Sequence, residues 1–89
     1  MRHEVIIPKT GLNMNDVHFL QWLAEEGSVV SAGQPLFRME TEKIEVEIEA
    51  EEHGWLHRTA AAGTDHPVGA VIGFIADSVD AYHDLVEAP

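Results

Sequence analysis

Hydrophobic and polar positions alternate along several short stretches, most cleanly in Ile44-Glu45-Val46-Glu47-Ile48-Glu49-Ala50-Glu51. A period of two places Ile44, Val46, Ile48 and Ala50 on one face of a strand, expected in the core, and the four glutamates on the other. Glu4-Val5-Ile6-Ile7 reads as a β-branched strand that Pro8 ends, because proline has no N–H to continue a ladder. Val17 to Ala24 is a second strand whose imperfect alternation implies partial cover on both faces. It has no helix cap and is rich in aromatic and branched residues. Val29-Val30 is a very short strand, Leu36 to Met39 leads toward the Glu-alternating stretch, and Trp55 to Ala60 and Ala70 to Ala76 complete the set. Gly, Pro, Asn, Asp and Ser mark turns at 8–16, 25–28, 31–35, 51–54 and 61–65, and His66 to Gly69 reads as an extended link with a turn. Short strands punctuated roughly every 8–12 residues predict an all-β sandwich or barrel.

The two halves resemble each other. At an offset of 36 residues, Phe19-Leu20 overlies Trp55-Leu56, Ala24 overlies Ala60, Gly27 overlies Gly63, Gly33 overlies Gly69 and Leu36 overlies Ile72. Two copies are too few for a solenoid, so the repeat implies a pseudo-twofold sandwich in which each half covers the other's apolar face. From Ser78 onward the character changes. Val79, Tyr82 and Val86 share helical spacing and Ser78 is a candidate cap, so residues 78–89 read as a short helix docked on the sandwich or the start of a linker, after a domain at 1–77.

Composition narrows the function. The 89 residues suit one domain, and no apolar run approaches the roughly 20 residues of a membrane span. No apolar signal region precedes the first strand, which favours the cytoplasm. Sixteen acidic against five basic residues give a net charge of -11, which argues against nucleic acid, since that binding depends on neutralising phosphates. The same charge keeps the domain soluble and steers it toward basic partner surfaces. With no cysteine, disulfides and thiol chemistry are excluded. His53 and His57 would stand roughly 13 Å apart on a strand, too far to share a metal ion. The glutamates of the alternating strand face solvent, no Gly-x-Ser-x-Gly turn or phosphate loop is present, and no catalytic residue is assigned.

What remains is Lys43, one of two lysines, between Glu42 and Ile44 at the head of the acidic strand. An exposed salt-bridging lysine and a reactive amine presented by a hairpin both fit the local pattern, and no Asn-Gly or Asp-Gly advertises the turn.

Glu40-Thr41-Glu42-Lys43-Ile44 resembles the lipoylation motif of the lipoyl domains of 2-oxo acid dehydrogenase acyltransferases, within the biotinyl/lipoyl attachment family. The resemblance runs from Glu4 to Ala76. It includes Pro8, Met14, Trp22, Glu26-Gly27, the Val30/Gly33/Leu36 spacing, Glu47 to Ala50, Gly54-x-Leu56, and Gly63 through Pro67-Val68-Gly69. Asp16-Val17 stands where Glu-Gly is common, and Ser28 where Asp usually follows the glycine. Biotinyl domains typically flank their lysine with methionines, so Glu42 and Ile44 favour lipoate over biotin, with a biotin carboxyl carrier as the alternative.

The resemblance implies a flattened barrel-sandwich of two four-stranded antiparallel sheets with Lys43 at a hairpin tip and the chain ends opposite. It further implies a non-catalytic carrier whose lipoate is attached to Lys43 by a lipoate ligase or lipoyl transferase. The arm would then serve a 2-oxo acid (or acetoin) dehydrogenase, an acyltransferase core and a dihydrolipoyl dehydrogenase. In the family the loop after the first strand lies near the lysine, which makes Pro8, Leu12 and Met14 candidate partner contacts. An unmodified interaction domain is the reading from another class.

Overall fold

β-Branched and aromatic stretches separated by turn residues leave the chain little choice but short strands. The computed structural model describes residues 2–9, 16–41 and 44–87. These form β1 (Arg2–Ile6), β2 (Asp16–Trp22), β3 (Val29–Val30), β4 (Pro35–Thr41), β5 (Ile44–Glu49), β6 (Gly54–Arg58), β7 (Thr64–Pro67), β8 (Val71–Ala76) and one helix, α1 (Val79–Glu87). The strands pair antiparallel into two four-stranded sheets, ordered β1-β8-β6-β3 and β5-β4-β2-β7, the architecture the sequence predicts. The described residues include no helix long and apolar enough to cross a membrane.

Two expectations are corrected by the strands themselves. Thr64 to Pro67, read as a turn running into an extended link, is the edge strand β7, paired to β2 from Asp16↔Pro67 to Phe19↔Thr64. It carries no aliphatic residue, so hydrophobic alternation gives no signal, and Pro67 is tolerated because one side of an edge strand needs no partner. Ile44, expected in the core, is 63% exposed. Exposure falls along the same face of β5, through half-buried Val46 and Ile48 to Ala50 at 4%, as the strand enters the body of the sandwich.

The internal repeat is real and its offset is not uniform. Gly27 N–H donates to the Leu56 carbonyl at 2.7 Å, and Gly63 N–H donates to that of Phe19 at 2.8 Å. Gly33 and Gly69 donate likewise to Ala50 and Ile7, both at 2.8 Å. Backbone φ agrees within each glycine pair, +79° with +81° and +90° with +91°. The ladder β2–β4 pairs Phe19 with Met39 and Trp22 with Phe37, while β6–β8 pairs Leu56 with Ile75 and Arg58 with Gly73. Phe19 is therefore the counterpart of Leu56, not of Trp55. The extra residue is Leu20, in a register shift of β2 between Phe19 and Gln21. A bulge of this kind inserts one residue into one strand of a pair, and here it also explains the broken alternation of β2.

The core lies between the sheets. Phe19, Phe37, Ile7, Leu36, Met39, Leu56, Ile72 and Val30 are its largest fully buried side chains. Phe19 meets Trp22 edge-on with ring centroids 5.1 Å apart and Phe37 at 5.5 Å. The facing β8 makes room with Gly73, where a Cβ would stand 3.0 Å from the Trp22 ring. Trp22 satisfies its indole N–H on the Ala60 carbonyl at 3.0 Å, so its burial leaves no orphan donor.

α1 begins as the sequence suggests, with the Ser78 hydroxyl accepting from Ala81 N–H at 3.1 Å. Its buried stripe differs from the predicted one. Leu85 is buried, Tyr82 is half-buried, and Val79 and Val86 remain exposed. The helix packs on β6 and β8.

Candidate functional site

β4 and β5 form a hairpin paired from Pro35↔Glu49 to Thr41↔Ile44. Two residues, Glu42 and Lys43, connect the last pair and lie outside the described residues. What the structure describes is the platform beneath them. Thr41 is half-buried, whereas Glu40, Ile44 and Glu45 are exposed. The hairpin belongs to a four-stranded sheet, so its base is held by the β2–β4 ladder instead of standing alone in solvent.

The strand register fixes where this platform sits. His18 of β2 pairs with Glu40, and Asp16 pairs with Pro67 just beyond. Val71, four residues after Pro67, pairs with Ile6, and β8 then runs away from this end until Ala76 stands opposite Arg2. The Thr41–Ile44 pair therefore lies at one end of the molecule, and the start of β1 and the end of β8 lie at the other. The longest dimension is 39 Å.

Outward from the sheet, a cross-strand row runs Glu45–Glu40–His18–Asp65. His18 Nδ1–H donates to Asp65 Oδ1 at 2.7 Å, and the acceptor-only carboxylate fixes the proton on that nitrogen. Glu40 and Glu45 stand directly opposite each other, a like-charge pair that disfavours the hairpin by some tenths of a kcal/mol. In the next outward row Arg38 Nε approaches Glu47 at 3.7 Å. The face carries mostly negative charge around a single described arginine, which suits presentation to a basic surface more than acid–base chemistry in a pocket.

Of the predicted contact residues, Pro8 is half-buried and lines an open groove of about 510 Å³ between the edge strands β1 and β5, floored by Leu36, Phe37 and Ile48. Leu12 and Met14 lie outside the described residues. No motif in the sequence includes His18, and only the strand register brings it to the face that bears the hairpin. Nothing in local spacing could have found it. Among the described residues, no group of three or more His, Asp or Glu side chains is placed to hold a metal ion.

A second polar cluster lies on the other sheet. The Glu26 carboxylate accepts from His57 Nδ1–H at 2.8 Å, from Arg58 N–H at 2.7 Å and from the Tyr82 hydroxyl at 2.8 Å. Partial burial pushes the Glu26 pKa up, but these donors together outweigh it and hold the carboxyl below its ordinary value. Partial burial and the neighbouring carboxylate raise that of Tyr82.

Comparison with known proteins bears on the hairpin. The profile of the biotin/lipoyl family, described as "Biotin-requiring enzyme", matches residues 3–75. The chain is 35% identical over 92 residues to the dihydrolipoyllysine-residue acetyltransferase component of the acetoin cleaving system of Cupriavidus necator, covering 96% of this chain and 25% of that protein. It is 33% identical over 75 residues to the dihydrolipoyllysine-residue succinyltransferase component of the 2-oxoglutarate dehydrogenase complex of Bacillus subtilis, covering 83% of this chain and 18% of that one. It is also 33% identical over 92 residues to the pyruvate dehydrogenase E1 component subunit beta of Rhizobium meliloti, covering 97% and 20%. The chain thus spans a quarter or less of the length of these relatives.

Proposed function

The chain belongs to the biotin/lipoyl attachment family, and from that premise we propose that it is a lipoyl carrier domain with Lys43 as its attachment residue. The observation that carries the reading is the motif Glu40-Thr41-Glu42-Lys43-Ile44 at the connection of β4 and β5, in a chain whose relatives are named for a dihydrolipoyllysine residue. An amide joins the Lys43 amine to the carboxyl of lipoate, with loss of water. Once attached, lipoate supplies the redox-active dithiolane that takes up and gives back acyl groups.

The described residues fit this chemistry. Glu40, Ile44 and Glu45 are exposed on the platform, which leaves them accessible to a modifying ligase or transferase. Thr41 is the last paired residue of β4 and Ile44 its partner on β5, so the strands on either side of Lys43 are held in the sheet. The chain contributes no cysteine, so it forms no mixed disulfide with its own cofactor. A tethered arm works by effective concentration, commonly in the mM range for short flexible links, and that needs a platform without competing chemistry.

In this reading residues 1–77 are the carrier unit, 78–89 are an appended tail, and the unit itself is not a catalyst. Its partners are a lipoate ligase or lipoyl transferase, the dehydrogenase component of a 2-oxo acid or acetoin complex, an acyltransferase core and a dihydrolipoyl dehydrogenase, in the cytoplasm. The acidic outward row offers them a steering field.

The test is intact mass after co-expression with a lipoate ligase. The protein should gain one lipoic acid minus water, Lys43→Arg should gain nothing, and Lys9→Arg should behave as wild type. Attachment that persists in Lys43→Arg, or capture of the protein on avidin after biotinylation in the cell, would overturn the assignment.

A further inference from the structure

Nine residues of helix follow the eight strands, and their attachment to the sandwich has an unusual economy. Isolated helices shorter than about 12–15 residues are marginal in water, so α1 depends on docking for its helicity. Beyond the Ser78 cap, its sequence does little to help. Asp80 suits the positive end, but the last turn has no basic residue and ends on Glu87, against the helix dipole. Leu85 is its one buried residue, and Leu85 stands outside the contiguous core that joins the two sheets.

The polar anchor is equally one-sided. Tyr82 donates to Glu26 and its ring meets that of His57 edge-on at 6.3 Å. Glu26, however, also accepts from His57 and from Arg58 N–H, two donors that belong to β6 and not to the helix. Undocking α1 therefore leaves no buried carboxylate stranded, and the usual large penalty for breaking such a contact is absent. On the sandwich α1 packs mainly on β6 and β8 among the described strands, and neither contact joins the core between the sheets.

We infer that α1 is a strap that opens off an intact sandwich. The strap holds the segment after β8 short when docked and lengthens it when released. Nine helical residues span about 14 Å, and the same nine extended span about 30 Å, so release adds about 16 Å of reach. That gain matters to a domain that shuttles between partners, and this consequence rests on the carrier reading above. The opening itself does not rest on it.

Amide hydrogen exchange on the full 89-residue chain reads the opening directly. In wild type, the amides of α1 exchange about 100-fold or more faster than those of the central strands β6 and β8, yet at least about tenfold slower than unstructured peptide. Tyr82→Phe speeds α1 by about five- to tenfold, since one charge-assisted bond is lost, and leaves β6 and β8 unchanged. Leu85→Ala does the same through lost burial. Exchange of α1 in step with β6 and β8, or equal acceleration of sheet and helix in both variants, would show that the helix is part of the sandwich and end the proposal. So would α1 amides without protection in wild type. None of these outcomes depends on whether Lys43 carries lipoate, and the mass measurement above fails or succeeds independently.

Discussion

Adding one methyl at Gly54 and one at Gly63 should have very different consequences, although both glycines lie outside the core cluster's side chains. At Gly63 the backbone is left-handed, φ +81°, and a Cβ would meet nothing within 4 Å. Gly63→Ala then carries only the left-handed penalty for an L residue, about 1 kcal/mol. At Gly54 a Cβ would stand 2.1 Å from the Ala76 carbonyl oxygen and 2.9 Å from Ile75 Cγ2. The first obstacle is backbone at the end of the β6–β8 ladder, where Trp55 pairs with Ala76. Relief requires β8 to move by about 1 Å, an overpacking strain of about 3 kcal/mol or more. The entropy that alanine removes from the unfolded chain is common to both variants and cancels in the comparison. Urea melts at fixed pH, with the slope checked for constancy, give the two losses. For a domain of this size they correspond to falls in Tm of about 4–8 °C for Gly63→Ala and about 12 °C or more for Gly54→Ala. Equal losses, within about 0.5 kcal/mol, would refute the close approach of β8 to β6 as the reason for glycine at 54.

Ile44→Ser should shift stability by less than about 0.5 kcal/mol in a thermal melt, because the side chain is mostly in solvent; a loss above about 2 kcal/mol would mean that it is core after all. Glu26 is held below its ordinary carboxyl value near 4.5, so its stabilising contribution is present above that pH and lost as pH falls through the lowered folded value. Tm measured between pH 3 and 7 should therefore fall less steeply at the acid end in Glu26→Gln than in wild type, and identical slopes would contradict the assignment. Amide formation at Lys43 converts an ammonium to a neutral group, changing the net charge from -11 to -12. The modified protein should elute later from an anion exchanger, and an unchanged position would mean that the amine reacting is not a charged lysine.

Much of the fold was legible because antiparallel strands with one buried face write their periodicity into the chain. That periodicity turns Glu45, Glu47 and Glu49 to solvent, and all three are exposed. Periodicity gives a face and not a depth, which is why Ile44, on the correct face, proved to lie beyond the cover of the opposite sheet. It also needs apolar residues to read. β7 has none of the aliphatic kind and owes its existence to the free edge of β2, a tertiary fact. The helix was ambiguous by one rotation: Val79 and Val86 flank Tyr82 on one side, and Leu85 on another. The Tyr82 bond to Glu26, across 56 residues of sequence, decides between them by turning Leu85 inward. The candidate site divides the same way. Glu40, Thr41 and Ile44 were recognised from a contiguous motif, while His18 reached the same face only through pairing with Glu40.

The repeat ties these observations together. If β2–β4 is equivalent to β6–β8, then β5, paired to β4, is equivalent to β1, paired to β8. The ladders agree: Phe37↔Ile48 matches Gly73↔Val5, and Arg38↔Glu47 matches Phe74↔Glu4. The two residues that connect β4 to β5 then have as their counterpart the gap between the end of β8 and the start of β1. A duplicated unit folded this way has one end closed by a hairpin, with the start of β1 and the end of β8 at the other. The Thr41–Ile44 pair and the end of β8 are thereby held at opposite ends without any further device. The symmetry also puts the two outward faces in correspondence. The row Glu40–His18 on one sheet corresponds to Ala76–Trp55 on the other, charged in the first case and apolar in the second. The apolar copy is on the sheet whose strands β6 and β8 carry α1. The charged copy stays open beside the hairpin.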